Sequence, residues 1–139
     1  MSYWEFTSSN NWFSTKLPKN WSEYEDEEGT YAFFNTDEWS GNLRITPYRW
    51  PDDSDKAPEY IKDELNDNPN AVAIKIGDWD AAFYSKEAKD DCLIYFWAMG
   101  IRNHLFLCSF TVDKNMVGTE KHDKELNIVE NVLNNIGIN

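Results

Sequence analysis

Apolar and polar residues alternate along the first third of the chain in a pattern that predicts β-strands. Residues 12–17 alternate as far as Pro18, residues 30–34 form a short aromatic run, and residues 43–46 place apolar and polar side chains on opposite faces. The charge run at residues 23–28 predicts a solvated turn between two strands.

Pro47 follows the third of these strands directly. Proline has no amide hydrogen to donate to a ladder, so we expect it at a strand end or on a sheet edge.

A helical spacing appears after residue 55. Ala57, Ile61 and Leu65 recur at intervals of four and predict a helix that begins after Asp55, a suitable N-cap residue. Residues 66–70 contain a proline and end this helix. Residues 72–76 and 79–84 then read as strands separated by a turn.

A second helix is predicted over residues 119–136. Leu126, Val129, Leu133 and Ile136 form its main apolar stripe, and Gly137 is suited to a C-cap position.

Two long apolar runs lie between the helices, at residues 93–99 and 105–112. The few residues between them predict a β-hairpin. Both faces of its strands are apolar, which is typical of strands that are covered on both sides. We therefore expect a central hairpin in a three-layer α/β/α sandwich, an α+β fold around a mainly antiparallel sheet of six or seven strands.

The two cysteines lie on or beside this hairpin. With a turn centred near Arg102, Cys108 lies opposite Phe96 and Cys92 lies opposite Val112. The two thiols are then about 13 Å apart along the sheet, beyond the reach of a disulfide. We expect both to be free and mostly buried.

The length and composition of the chain indicate its number of domains and its charge. The 139 residues fit a single domain, and aromatic residues make up 16%, which favours a folded core over disorder. Thirteen basic residues against 25 acidic ones give a formal net charge of −12. This charge disfavours binding to nucleic acid or to anionic membranes and favours a basic protein surface as partner, although it can also serve solubility alone.

The start of the chain lacks the basic and apolar regions of a signal peptide, and no segment is long and apolar enough for a membrane span. These features predict a cytoplasmic protein without membrane insertion.

The order of the elements resembles that of the PsbP/Mog superfamily, which includes small bacterial domains of unknown function. Residues 17–21 (LPKNW) and 29–33 (GTYAF), followed by the strand at 43–46, carry this resemblance. It extends over nearly the whole chain and implies an α/β/α sandwich. It also implies binding rather than catalysis, because known members dock on a photosystem, release nucleotide from a small GTPase, or act as secretion adaptors and chaperones.

The sequence contains no recognisable catalytic or metal-binding motif. His104 and His122 have no metal-ligand spacing, and the two cysteines form no CxxC pair. Residues 52–55, which include three aspartates, lack the glycine and distant glutamate of a calcium loop. We therefore expect a protein that is not an enzyme and has no cofactor.

Tryptophans in polar surroundings are the candidates for a binding surface. Trp39 and Trp50 flank the strand at 43–46, and Asp52, Asp53 and Asp55 follow Trp50. Because tryptophan is enriched at binding hot spots, these five residues are candidates for partner binding. The alternative is that the tryptophans cap the ends of the sheet as peripheral core.

These observations favour a protein-binding module, namely an adaptor, a chaperone or an immunity-type inhibitor, that exists as a monomer or weak homodimer. The alternative is a small-molecule-binding protein or an unrecognised enzyme with a cleft near the Trp50 loop.

Overall fold

The computed structural model describes residues 2–38 and 41–139. Two helices are present in this part of the chain, α1 (Lys56–Asp67) and α2 (Glu120–Asn134), together with a short 3-10 helix at Lys114–Met116. The strands are β1 (Tyr3–Thr7), β2 (Phe13–Pro18), β3 (Trp21–Glu25), β4 (Tyr31–Asn35), β5 (Gly41–Arg49), β6 (Val72–Ile76), β7 (Trp79–Ala88), β8 (Cys92–Ile101), β9 (His104–Asp113) and β10 (Gly137–Ile138).

The strands form two antiparallel sheets. The large sheet has seven strands in the order β3-β4-β5-β9-β8-β7-β6, and the small sheet has three in the order β1-β2-β10. The β8–β9 hairpin lies in the middle of the large sheet, which confirms the central position expected from its apolar residues.

The predicted three-layer α/β/α sandwich is wrong. The chain is mostly β, with 49% strand and 22% helix, and its strands form two sheets instead of one. On one face of the large sheet the small sheet packs together with α2, whereas α1 packs on the other face. The pattern misled because residues 3–7 and 137–138 are strands only through their pairing with β2, so a second sheet was not expected.

Aromatic side chains fill the space between the two sheets. The ring of Phe13 in β2 packs edge-on against Phe106 of β9, with centroids 5.3 Å apart, and against Tyr31 of β4 at 5.6 Å. Helix α2 joins the same core through Val129, Val132 and Leu133, and the Val132 carbonyl accepts a 2.7 Å hydrogen bond from the buried Thr15 hydroxyl of β2.

The other face of the large sheet is covered only in part. Ala57 and Ile61 of α1 are buried against Ala82, Ala98 and Leu105, where small side chains in the sheet let the helix approach closely. Farther from the hairpin turn, positions on this face are half-exposed, among them Ile94, Phe96, Ser109 and Thr111. The apolar residues of the hairpin are therefore covered on both faces only near its turn.

The hairpin register differs by one residue from the predicted one. Cys108 pairs with Trp97, and Cys92 pairs with Asp113. The prediction of free thiols is confirmed, because both cysteines are unbridged; Cys108 is buried and Cys92 is partly exposed.

The predicted helix ends are partly wrong. Helix α2 begins after Thr119, whose side chain accepts a hydrogen bond from the His122 amide, but its C-cap residue is Asn135. Gly137 instead pairs with Ser14 in the small sheet. Asp55 occupies the N-cap position of α1 without making a side-chain cap bond.

The charge run at residues 23–28 is only partly a turn, because its first three residues belong to β3 at the edge of the large sheet. Charged side chains on an edge strand disfavour pairing with another chain. Pro47 lies inside β5, in a part that pairs with β9 beyond the last β4 pair, Tyr31–Ile45. Its missing amide hydrogen is tolerated because β4 no longer pairs there.

Replacement of Gly100 by alanine tests the close packing at the hairpin. A Cβ atom at Gly100 would meet the backbone of His104 and Leu105, whereas a Cβ atom at Gly137 would meet nothing within 4 Å. We expect Gly100→Ala to lower the free energy of unfolding by about 1–3 kcal/mol or more, measured by urea denaturation. Gly137→Ala is the matched control, and an equal effect of the two changes would contradict this packing.

The burial of Cys108 predicts selective thiol reactivity. Burial raises the pKa of the Cys108 thiol well above its ordinary value, and the thiolate is the reactive form. A disulfide reagent should therefore modify Cys92 in the folded protein and reach Cys108 only after unfolding. Mass spectrometry of the Cys92→Ser variant checks this, since rapid labelling of the folded variant would disprove the inert thiol.

Candidate functional site

A groove of about 390 Å³ lies on the large sheet beside α1, and we call it the α1 groove. Its floor comes from β5, β7, β8 and β9, one wall comes from α1, and the turn between β3 and β4 borders it. It is lined by Asp26, Glu28, Thr30, Arg44, Thr46, Tyr60, Glu64, Tyr84, Phe96, Trp97, Ala98, Leu107, Cys108 and Ser109.

The strand register sets the order of side chains across the floor. Arg44, Ser109, Phe96 and Tyr84 are paired neighbours on four adjacent strands, so they form one row across the sheet. Three strand spacings separate the backbones of Arg44 and Tyr84 by about 14 Å. The row therefore has a guanidinium at one end and stacked aromatic rings at the other.

The aromatic end of the row meets an acidic residue of α1. The Tyr84 and Phe96 rings stack with centroids 5.1 Å apart and an angle of 22° between their planes. The Tyr84 hydroxyl donates a 3.4 Å hydrogen bond to Glu64 Oε2, which also accepts a 2.7 Å bond from the Asn68 side chain. We call Glu64, Tyr60, Tyr84 and Phe96 the Glu64 corner.

The tyrosines of this corner titrate at high pH. Burial is the main cause that raises the pKa of Tyr60 to about 12, and the negative charge of Glu64 and a hydrogen bond to it add to the effect. The pKa of Tyr84 is raised by burial and by Glu64 as well. Both hydroxyls therefore stay protonated near neutral pH and can donate hydrogen bonds.

One lysine of the chain, Lys86, lies beside the Glu64 corner. Lys86 Nζ lies 5.5 Å from the centroid of the Tyr84 ring, within the range of a cation–π interaction. Among the residues that the structure describes, no Lys or Arg forms an ion pair with Glu64. Among the side chains that line the groove, three carboxylates (Asp26, Glu28 and Glu64) stand against one guanidinium, that of Arg44.

Four of the five residues predicted from the sequence lie in the described part of the chain, outside the lining of this groove. Trp50 is half-buried and packs against the cluster of Ala57 and Ile61 under α1, while its carbonyl accepts a 2.8 Å hydrogen bond from the Asn103 side chain. None of Trp50, Asp52, Asp53 and Asp55 lines the groove.

The three aspartates are exposed on the loop that follows Trp50. Asp52 accepts a hydrogen bond from the Ser54 hydroxyl and lies 3.8 Å from Lys56 Nζ. Trp39 lies outside the described residues. The binding role of these five residues stays a prediction.

Sequence reasoning missed the residues of the Glu64 corner, although two signals pointed to this face. In β9 the side chains that share a face change from apolar Leu105 and Leu107 to polar Ser109 and Thr111. In β5 the same face carries Arg44 and Thr46. The sequence therefore already indicated that this face of the hairpin is covered along only part of its strands.

A second cavity of about 290 Å³ lies between α2 and the ends of β3 and β4. Glu125 of α2 lines it, and burial raises the pKa of this carboxyl to about 6, with Lys121 opposing the shift and Glu38 adding to it. Lys121 and Glu38 form an ion pair of 3.9 Å across this cavity.

Within residues 2–38 and 41–139, no group of three or more His, Cys, Asp or Glu side chains is arranged to hold a metal ion. In the same part of the chain, no helix has the length and apolar character to cross a bilayer.

A family model described as "Domain of unknown function (DUF3805)" matches residues 1–136. No curated protein matches the chain.

Two solved structures share the fold over the whole length of the chain. A crystal structure of a protein from Bacteroides thetaiotaomicron VPI-5482 has 33% sequence identity and a TM-score of 0.79; it covers 100% of this chain, which spans 49% of that protein. The solution structure of cyanobacterial PsbP (CyanoP) from Synechocystis sp. PCC 6803 has 11% identity and a TM-score of 0.64, with 99% and 93% of the two chains covered. The resemblance to PsbP-like domains is therefore confirmed at the level of the fold.

Replacement of Glu125 by glutamine tests the cost of burying this carboxylate. Because its pKa is raised from 4.5 to about 6 by folding, its contribution to stability is present below pH 4.5 and is lost as the pH rises through 6. We expect the free energy of unfolding of Glu125→Gln to be about 1 kcal/mol higher than that of the wild type at pH 7. At pH 4.5 we expect the two values to be equal. Urea denaturation at the two pH values measures the difference.

Glu130→Gln is the control, since Glu130 is an exposed residue of the same helix. An advantage of Glu125→Gln that is equal at both pH values would contradict the raised pKa.

Proposed function

We propose that this chain, which belongs to the DUF3805 family, is a non-catalytic protein-binding module that docks a basic segment of another protein in the α1 groove. The observation that carries the proposal is the combination of an uncovered aromatic floor with an excess of carboxylates around it. Adaptors, chaperones and inhibitors all act through such a surface, and the proposal does not depend on which of them this chain is.

The groove fits a polypeptide better than an enclosed small ligand. Phe96, Leu107 and Ser109 on its floor are all half-exposed, so the floor is open to solvent along the strands. Peptide-binding surfaces use such open grooves, in which side chains of the bound segment fill separate pockets.

Charge complementarity supports a basic occupant. The formal net charge of −12 attracts a positively charged partner over distances of about a Debye length, roughly 8 Å at physiological salt. Arg44 at the other end of the row gives the groove a polarity, which sets the direction in which a charged segment binds.

A small-molecule-binding protein is the second candidate. The volume of about 390 Å³ lies within the range of small-molecule pockets, about 300–1,000 Å³. The Trp50 loop, where the sequence suggested a cleft, does not contribute to this groove, so a small ligand would lie beside Tyr60 and Glu64 instead.

The proposal is tested by nuclear magnetic resonance titration of the isotope-labelled protein with two synthetic peptides of equal length. One carries arginine and leucine, and the other carries glutamate at the arginine positions. We expect saturable shift changes at the groove with the basic peptide, weakened by high salt, and none with the acidic peptide.

The variant Phe96→Ser should weaken binding of the basic peptide about tenfold, because it removes the aromatic floor. Tyr3→Ser is the control, since Tyr3 is 46% exposed on β1, in the small sheet on the opposite side. Absence of saturation with the basic peptide, or shift changes that map to the small sheet, would refute the proposal.

A further inference from the structure

We propose that the Glu64 corner of the α1 groove is a subsite for an arginine side chain, whose guanidinium pairs with Glu64 and stacks on Tyr84. This inference rests on the proposed docking of a basic segment and names the group that the segment inserts.

The carboxylate of Glu64 is held in place before any ligand binds. It accepts hydrogen bonds from the Asn68 side chain at 2.7 Å and from the Tyr84 hydroxyl at 3.4 Å, while α1 fixes its backbone. A positioned carboxylate loses little side-chain freedom when it binds a cation, which favours affinity.

The charge of Glu64 is not neutralised within the described residues. The Lys and Arg side chains that form ion pairs there do so with Asp52, Asp80, Glu87 and Glu38, and none pairs with Glu64. The bonds that Glu64 accepts come from neutral amide and hydroxyl groups. A cation supplied by a partner would therefore meet a carboxylate with which no Lys or Arg of the described residues forms an ion pair.

Aromatic rings beside the carboxylate select the kind of cation. Tyr84 and Phe96 stack nearly in parallel, at 22°, and both line the groove. A guanidinium is planar, so it can stack on such a ring and pair with a carboxylate at the same time, which an ammonium does less well. Lys86 Nζ already lies 5.5 Å from the centroid of the Tyr84 ring, so a bound guanidinium would take the place of this ammonium.

The test uses three nine-residue peptides that differ only at the central position, which is arginine, lysine or citrulline. Citrulline keeps the shape of arginine but lacks its charge. Isothermal titration calorimetry with the wild-type protein should show at least tenfold tighter binding of the arginine peptide than of the citrulline peptide, with the lysine peptide between them.

Two isosteric variants assign this preference to Glu64. Glu64→Gln should reduce the preference for arginine over citrulline to less than twofold, whereas Glu59→Gln, a change of the same kind on the same helix, should leave it intact. Glu59 is exposed and does not line the groove. Circular dichroism confirms that both variants are folded.

Variants of Tyr84 separate the ring from its hydroxyl. Tyr84→Phe keeps the ring and should retain most of the preference for arginine over lysine, whereas Tyr84→Leu should abolish it. An unchanged preference in Tyr84→Leu would overturn the stacking part of the inference.

The remaining outcomes distinguish this inference from the proposed function. If the arginine and citrulline peptides bind the groove equally well, the arginine subsite is refuted while docking in the groove stands. An equal loss of both peptides in Glu64→Gln also refutes it, since the charge then plays no selective role. If none of the three peptides binds the groove, the proposed function itself fails.

Discussion

The aromatic contacts of Phe13 determine how the two sheets face each other, and most of the remaining structure depends on them. The ring packs against Phe6 of its own sheet and against Tyr31 and Phe106 of the large sheet. Each such pair contributes about 0.5–1.5 kcal/mol beyond the area that it buries. These contacts place the small sheet on one face of the large one, and α2 then completes the cover through Val129 and Leu133.

Among the residues that the structure describes, the opposite face is covered by one helix, α1, which has 12 residues and is about 18 Å long. A helix of that length covers neither the width of the sheet, about 28 Å across seven strands, nor the length of β8 and β9, about 33 Å for ten residues each. Helix α1 settles where Ala82 and Ala98 allow close approach, near the hairpin turn. The part of the sheet that it does not reach becomes the floor of the α1 groove, so the groove follows from the mismatch between one helix and a wide sheet.

Sequence reasoning located the elements with strong periodicity. The stripe of Ala57 and Ile61 gave α1, and the two apolar runs gave the central hairpin. It failed where pairing with distant residues decides the structure. Gly137 looks like a helix end, yet its backbone pairs with Ser14, more than a hundred residues earlier. The segments that make up β1 and β10 are short, and only a partner strand makes them strands.

The candidate site was less accessible to sequence reasoning than the fold. Tryptophans in polar surroundings drew attention to Trp50, but the structure packs its ring against the cluster under α1. Glu64 and Tyr84 lie 20 residues apart on different elements, and their meeting depends on where α1 settles on the sheet. A single sequence shows that the side chains on this face of β9 change from apolar to polar. It does not show where α1 packs on the sheet, and that position brings the Glu64 carboxylate to this face.

The small sheet also has a consequence for the order in which the protein assembles during synthesis. Strand β2 pairs with β10, and the Thr15 hydroxyl bonds to the Val132 carbonyl, 117 residues later. A ribosome that has made β1 to β5 therefore presents an aromatic face whose cover by α2 does not yet exist. Such long sequence separations slow folding, and apolar surface that stays open meanwhile promotes aggregation. For this chain, the interval between the synthesis of β2 and of α2 is when a holding chaperone matters most.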